Sequence, residues 1–92
     1  VQTCALPIFD LVPVASPLGR AGGHEPDRSG PNLDHFCVRV EPFDEPAIRA
    51  HLAAYGVGAG PTEQRYGAEG SGPSIYVRDP EGNLVELKGP PA

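Results

Sequence analysis

The sequence predicts an α+β fold in which one strand, one helix and three further strands follow one another, βαβββ. Three observations lead there. Residues 33–40 and 74–88 alternate apolar and polar side chains, the period of a half-buried strand. Between them, Ile48, Leu52 and Tyr55 recur at helical spacing. Asp79-Pro80-Glu81-Gly82 has turn chemistry throughout: Asp suits the first position, Pro pre-sets φ at the second and Gly suits the fourth. The runs on either side of that turn therefore read as the two arms of a hairpin.

The totals set bounds. A chain of 92 residues is one domain or part of one, and it buries a modest fraction of its surface. A net charge of −5 argues against nucleic acid or an anionic membrane as partner. No apolar run is long enough to span a bilayer, and no basic-apolar leader is expected. Two cysteines are too few for a disulfide scaffold, so a reducing, cytoplasmic setting is the default.

Taken in order, residues 1–8 (Val-Gln-Thr-Cys-Ala-Leu-Pro-Ile) resemble translated sequencing-adapter read-through, which leaves Cys4 without information. Residues 9–14 read as a strand interrupted by Asp10, much as Glu86 interrupts the last one. Residues 15–32 are rich in Gly, Pro and charge and read as a linker loop, with His24 a solvated loop residue. In 33–40, Phe36, Val38 and Val40 make an apolar face, and His35, Cys37 and Arg39 line the other. Asp44 is a good N-cap for a helix over 44–55, with Pro46 in its first turn and Glu45 and Arg49 paired at i,i+4. Gly56 stands where a left-handed residue ends such a helix. The helical stripe is expected on the Phe36/Val38/Val40 face. A short strand is read at 62–66 and a flexible loop at 67–72, a candidate lid. In the hairpin arms, Ile75, Val77, Val85 and Leu87 share one face; Ser74, Tyr76, Arg78, Glu86 and Lys88 share the other.

The helix covers one face of this sheet. The other collects polar groups from distant parts of the chain, and a back turned to water is an equally ordinary reading. A carboxylate within an apolar strand is costly if buried without a partner, so Glu86 either faces water or meets something that wants negative charge. Imidazole and carboxylate suit Zn²⁺, Fe²⁺, Mn²⁺ and Ni²⁺, although a lone His or a lone Glu is more often a hydrogen-bonded or solvated residue.

His35 opening the first strand, followed by a helix and by Gly-Pro-Ser-Ile-Tyr-Val-Arg-Asp-Pro-Glu-Gly-Asn-Leu-Val-Glu-Leu at 72–87, resembles the vicinal oxygen chelate superfamily. That group holds glyoxalase I, extradiol dioxygenases, methylmalonyl-CoA epimerase, and fosfomycin- and bleomycin-resistance proteins. The resemblance covers 32–88. It implies a βαβββ module of the glyoxalase/dioxygenase fold over 33–88, with first and last strands side by side. Residues 9–14 would be the last strand of a truncated first module, whose missing N-terminal part is one expected partner; a homodimer is another. His35, Glu86 and Asp10 are then the implied ligands of a divalent metal (Zn, Ni, Fe or Mn). Asp10 departs from the Glu usual there and is one methylene shorter.

The implied function is a metal-dependent enzyme of the glyoxalase/dioxygenase type. Its small substrate would chelate the metal through neighbouring oxygens, with Glu86 also moving a proton. Arg39, Tyr76, Arg78 and Lys88 are candidates for substrate binding; solvated strand-end charges and an aromatic wall are their plain alternatives. Cys37 reads as a packing residue rather than a nucleophile. Two other functions stay open: a metal-free protein of the bleomycin-resistance type that sequesters a small molecule, and a structural dimerisation module.

Overall fold

A computed structural model describes residues 9–22, 25, 27–30 and 33–91. The adapter reading of 1–8 and the solvated-loop reading of His24 concern residues outside that set. Two compact units make up the chain, Val1–Asn32 and Leu33–Ala92.

In the first unit, Ser16 starts a short helix, α1 (Pro17–Ala21). Its hydroxyl accepts from the Gly19 N–H at 3.0 Å and donates to the Pro13 carbonyl at 2.7 Å. Pro17 opens the helix, where its missing N–H costs nothing. This helical turn corrects the reading of 15–32 as an unbroken loop. Over 9–14, expected as the last strand of a truncated first module, no strand is present among the described residues, and none of them pairs with that run. A strand exists only as part of a ladder, and Pro13 has no N–H to give one.

The second unit is the βαβββ module. Its elements are β1 (Phe36–Arg39), α2 (Glu45–Ala54), β2 (Glu63–Gly67), β3 (Gly70–Arg78) and β4 (Leu84–Lys88). They form one sheet in the order β1-β4-β3-β2. β1 and β4 run parallel, with Cys37 opposite Glu86; β4 with β3, and β3 with β2, are antiparallel. Parallel neighbours need a long crossover, and here α2, β2 and β3 supply it.

Local chemistry fixes the joints. Asp44 caps α2 by accepting the Ala47 N–H at 3.1 Å. Glu45 and Arg49 pair at 2.9 Å. The same Glu45 oxygen accepts the Thr62 hydroxyl at 2.6 Å, and Arg49 also donates to the Gly60 carbonyl at 2.9 Å, which ties the helix to the approach to β2. Gly56 ends α2 at φ 73°, the left-handed conformation expected of it. At the β3–β4 turn the Gly82 N–H donates to the Asp79 carbonyl at 2.9 Å. The Asp79 carboxylate accepts from the N–H groups of Glu81 and Asn83 and from the Asn83 amide.

Two expectations need correcting here. Residues 67–72 are not a loop: Gly67 pairs with Gly70, so only Ala68 and Glu69 turn the corner, and 70–72 are strand. The helical stripe does not rest on Phe36 and Val38, which are 45% and 44% exposed. Ile48 and Leu52 pack instead against Ile75, Val77 and Val85 in the middle of the sheet, with Phe43, Val57, Ala59 and Leu87 around them. β1 is an edge strand among the described residues, and the helix lies over β3 and β4. Tyr55, expected in the stripe, is exposed and rests beside His51. An open apolar depression of about 470 Å³ lies on this helix side, between α2, Val40 and Leu87.

Candidate functional site

Val85 and Leu87 point to the helix, so Glu86 points the other way. It is 6% exposed, and a carboxylate so placed needs partners. Glu86 Oε2 accepts the hydroxyl of Ser74, from β3, at 2.7 Å. Its Oε1 lies 3.1 Å from Nε2 of His35, a residue 51 positions away that stands just before β1. The other ring nitrogen, Nδ1, is 2.7 Å from Oδ2 of Asp34.

From Ser74 the network runs on into β2. Arg65 Nη1 donates to the Ser74 hydroxyl at 2.9 Å and to its carbonyl at 3.0 Å. The Arg65 guanidinium stacks over the Tyr76 ring, 4.4 Å from its centroid. His35 meets the same ring edge-on at 5.2 Å. Asp34, His35, Glu86, Ser74 and Arg65 thus form one continuous polar chain with Tyr76 as its wall. Among the described residues, no buried side-chain nitrogen or oxygen lacks a hydrogen-bond partner.

The buried carboxylate marks its neighbours. Burial first, and then the charge of Glu86, push the Tyr76 phenol above its usual value, which keeps it a hydrogen-bond donor at neutral pH. The Cys37 thiol is raised in the same way, by burial and then by Glu86, although the residue as a whole is exposed. A raised thiol is a poor nucleophile.

Of the residues singled out from the sequence, His35, Glu86 and Tyr76 come together. Lys88 shares their face but is 8% exposed, and its ammonium donates to the Gly70 carbonyl at 3.0 Å. Its stem lies over Gly67, where any side chain would collide with it. Lys88 therefore staples β4 to the β2–β3 hairpin. Arg39 is half exposed and pairs with Glu41 at 2.7 Å and with Glu69 at 2.8 Å. Arg78 donates to the Gly82 carbonyl at 2.9 Å, at the hairpin tip. Asp10 is an exposed residue of the first unit.

Sequence reasoning missed Asp34 and Arg65 altogether, and it left Ser74 as one more polar strand residue. Arg65 was legible only through the register that sets it opposite Gly72, and a loop drawn over 67–72 hides that register. Asp34 is a neighbour of a proposed ligand, and nothing in its spacing marks it.

Imidazole nitrogen and carboxylate oxygen are a donor set that suits a first-row divalent ion. His35 Nε2 and Glu86 Oε1 converge on one another, so these two fit such an ion. Among the described residues, no group of three or more His, Cys, Asp or Glu is gathered to complete the set.

No protein-family model matches the chain, and none of the curated proteins does. Solved structures do. A virulence protein from Salmonella typhimurium is 28% identical, with a TM-score of 0.55 over 73% of this chain and 55% of that one. An integron cassette protein from the mobile metagenome of V. cholerae is also 28% identical, with a TM-score of 0.54 over 73% of this chain and 56% of that one. A fosfomycin resistance protein from Listeria monocytogenes matches more loosely, 27% identical at a TM-score of 0.47 over 60% of this chain, and adds no weight. The chain spans about half the length of the first two, and it is similar to them as an α+β protein built on a βαβββ module.

Proposed function

We propose that the chain contributes half of a divalent-metal site in an enzyme of the vicinal oxygen chelate superfamily. One observation carries this reading: His35 Nε2 and Glu86 Oε1, 51 residues apart in sequence, lie 3.1 Å from each other on the polar face of the sheet. The sequence resemblance over 72–87 and the β1-β4-β3-β2 order support it. When bound, a divalent ion supplies Lewis acidity toward neighbouring oxygens of a small substrate. The chain's own residues set the rest. Ser74 keeps Glu86 Oε2 occupied, so Oε1 is the oxygen left to hold the ion or to carry a proton. Tyr76, protonated at neutral pH, offers a hydrogen bond and an aromatic wall to the substrate. Arg39, Arg78 and Lys88 stand as substrate-binding candidates on the sequence reading alone, because Arg39 is paired with Glu41 and Glu69, and Lys88 and Arg78 are engaged by backbone carbonyls. Asp10 is kept as a ligand candidate on the sequence resemblance alone.

Metal analysis of the purified protein tests the proposal. The expected result is divalent metal approaching one per site, lost in both His35→Ala and Glu86→Ala. Wild-type protein without metal overturns it. That outcome would favour the sequestering reading. Turnover of a hemithioacetal would mark a glyoxalase-type lyase, and oxidation of a catechol a dioxygenase.

A further inference from the structure

We propose that Asp34 and Ser74 are positioning residues, which turn the His35 imidazole and the Glu86 carboxylate so that one nitrogen and one oxygen face the same point. This deepens the metal-site reading above and rests on it. A neutral imidazole carries a single N–H. Without a bound ion two carboxylates compete for it, Asp34 at 2.7 Å from Nδ1 and Glu86 at 3.1 Å from Nε2. The shorter Asp34 contact favours Nδ1–H, and an ion seated between Nε2 and Oε1 would then meet the Nε2 lone pair. A carboxylate on the far nitrogen is the device that fixes tautomer and ring rotation in histidines that hold metals. The Asp34 side chain is 69% exposed, so its bond to His35 adds little stability; its effect is on orientation.

Ser74 performs the matching task for Glu86. A free carboxylate rotates and offers either oxygen or both. Ser74 is fully buried, donates its only hydroxyl proton to Oε2 and is itself held by Arg65. Glu86 is thereby confined to presenting Oε1. The two positioning groups come from separate elements, the approach to β1 and the middle of β3, so β1–β4–β3 pairing assembles them in one step.

The test is a Co²⁺ titration of the 92-residue chain followed by visible absorption, for wild type, Asp34→Ala, Asp34→Asn and Ser74→Ala. Loss of an outer partner weakens binding about 10- to 100-fold. That drop is expected for Asp34→Ala, at an unchanged melting temperature, with partial recovery in Asp34→Asn, which keeps an acceptor. Ser74→Ala should alter the shape of the cobalt bands as well as the affinity, because Oε2 is released. If Ser74→Ala does not fold, Arg65→Lys loosens the same hydroxyl and replaces it. Wild-type affinity in Asp34→Ala, or wild-type bands in the Ser74 or Arg65 variant, overturns the proposal. Nitrogen-15 NMR of the metal-free, neutral His35 ring separates this failure from that of the metal reading. An Nδ1–H population that falls in favour of Nε2–H in Asp34→Ala upholds the positioning role even if wild type binds no cobalt. A tautomer indifferent to Asp34 refutes it.

Discussion

The two faces of the sheet bury their residues to the same depth by different means. On the helix side, Ile75, Val77 and Val85 are 0%, 8% and 9% exposed; on the polar side, Ser74, Glu86 and Lys88 are 0%, 6% and 8% exposed. Meanwhile Phe36 and Val38, apolar and on the helix side, remain nearly half exposed. Hydropathy therefore decides which face a side chain takes, and the strand's place in the sheet decides how deep it goes. β3 and β4 are central and deep on both faces, and β1 is an edge among the described residues. The apolar side is stabilised by area removed from water. The polar side is stabilised only as a closed hydrogen-bond network, in which a missing member costs more than its own bond.

That contrast breaks most readily at Ile75. It is wholly buried beneath α2, and truncation leaves a cavity. Ile75→Ala should cost about 2–5 kcal/mol, measured by urea denaturation. Val38→Ala, the same kind of truncation at the edge, should stay within about 0.5 kcal/mol, as surface changes do. Equal losses at the two positions would mean that β1 is covered in solution.

The polar side is probed next by Ser74→Ala. The change removes one oxygen and little volume, yet it strands Glu86 Oε2 and one N–H of Arg65. Leaving a buried polar group unpaired costs about 1–3 kcal/mol. A loss well under 1 kcal/mol would mean that water replaces the hydroxyl and that this side is wet.

Much of this arrangement was legible in the sequence, for local reasons. The cap at Asp44, the Gly56 stop and the Asp79–Gly82 turn depend on a few neighbouring residues, and each forms as expected. The face assignment of Glu86 followed from a period of two, and its meeting with His35 from the resemblance. What stayed hidden depends on pairing. The two-residue β2–β3 turn at Ala68-Glu69 is built from residues that also suit a loop, so the strand at 70–72 and the register of Arg65 were lost together. The Lys88 bond to the Gly70 carbonyl went with them. The run at 9–14 has strand composition but forms no strand among the described residues, since a strand also needs a partner to pair with.

Cys37 reports on the polar side without disturbing it. Burial and the Glu86 carboxylate raise its thiol, so less thiolate is present at neutral pH than in an unperturbed cysteine. Alkylation by iodoacetamide at pH 7.5 should be slower than for a model thiol, and Glu86→Gln should speed it up. A rate in wild type equal to the model thiol would show that the carboxylate charge does not reach Cys37.

The smallest expected effect lies at the β3–β4 turn, on which both faces depend because it sets Tyr76 opposite Glu86 and Val77 opposite Val85. The Asn83 side-chain amide, followed by the Asn83 N–H, holds the Asp79 carboxyl below its ordinary value. A carboxylate with a lowered native value binds fewer protons folded than unfolded, so its contribution is complete above the ordinary value near pH 4 and fades as the pH falls through the native one. Asp79→Ala should therefore melt below wild type at pH 7, by a gap that narrows steadily on acidification below about pH 4. Because Asp79 is exposed at its bonds, the gap should be small, and it should affect cobalt affinity and core stability alike. A gap that persists once the carboxyl is protonated would assign the effect to the shape of the turn rather than to the charge that closes it.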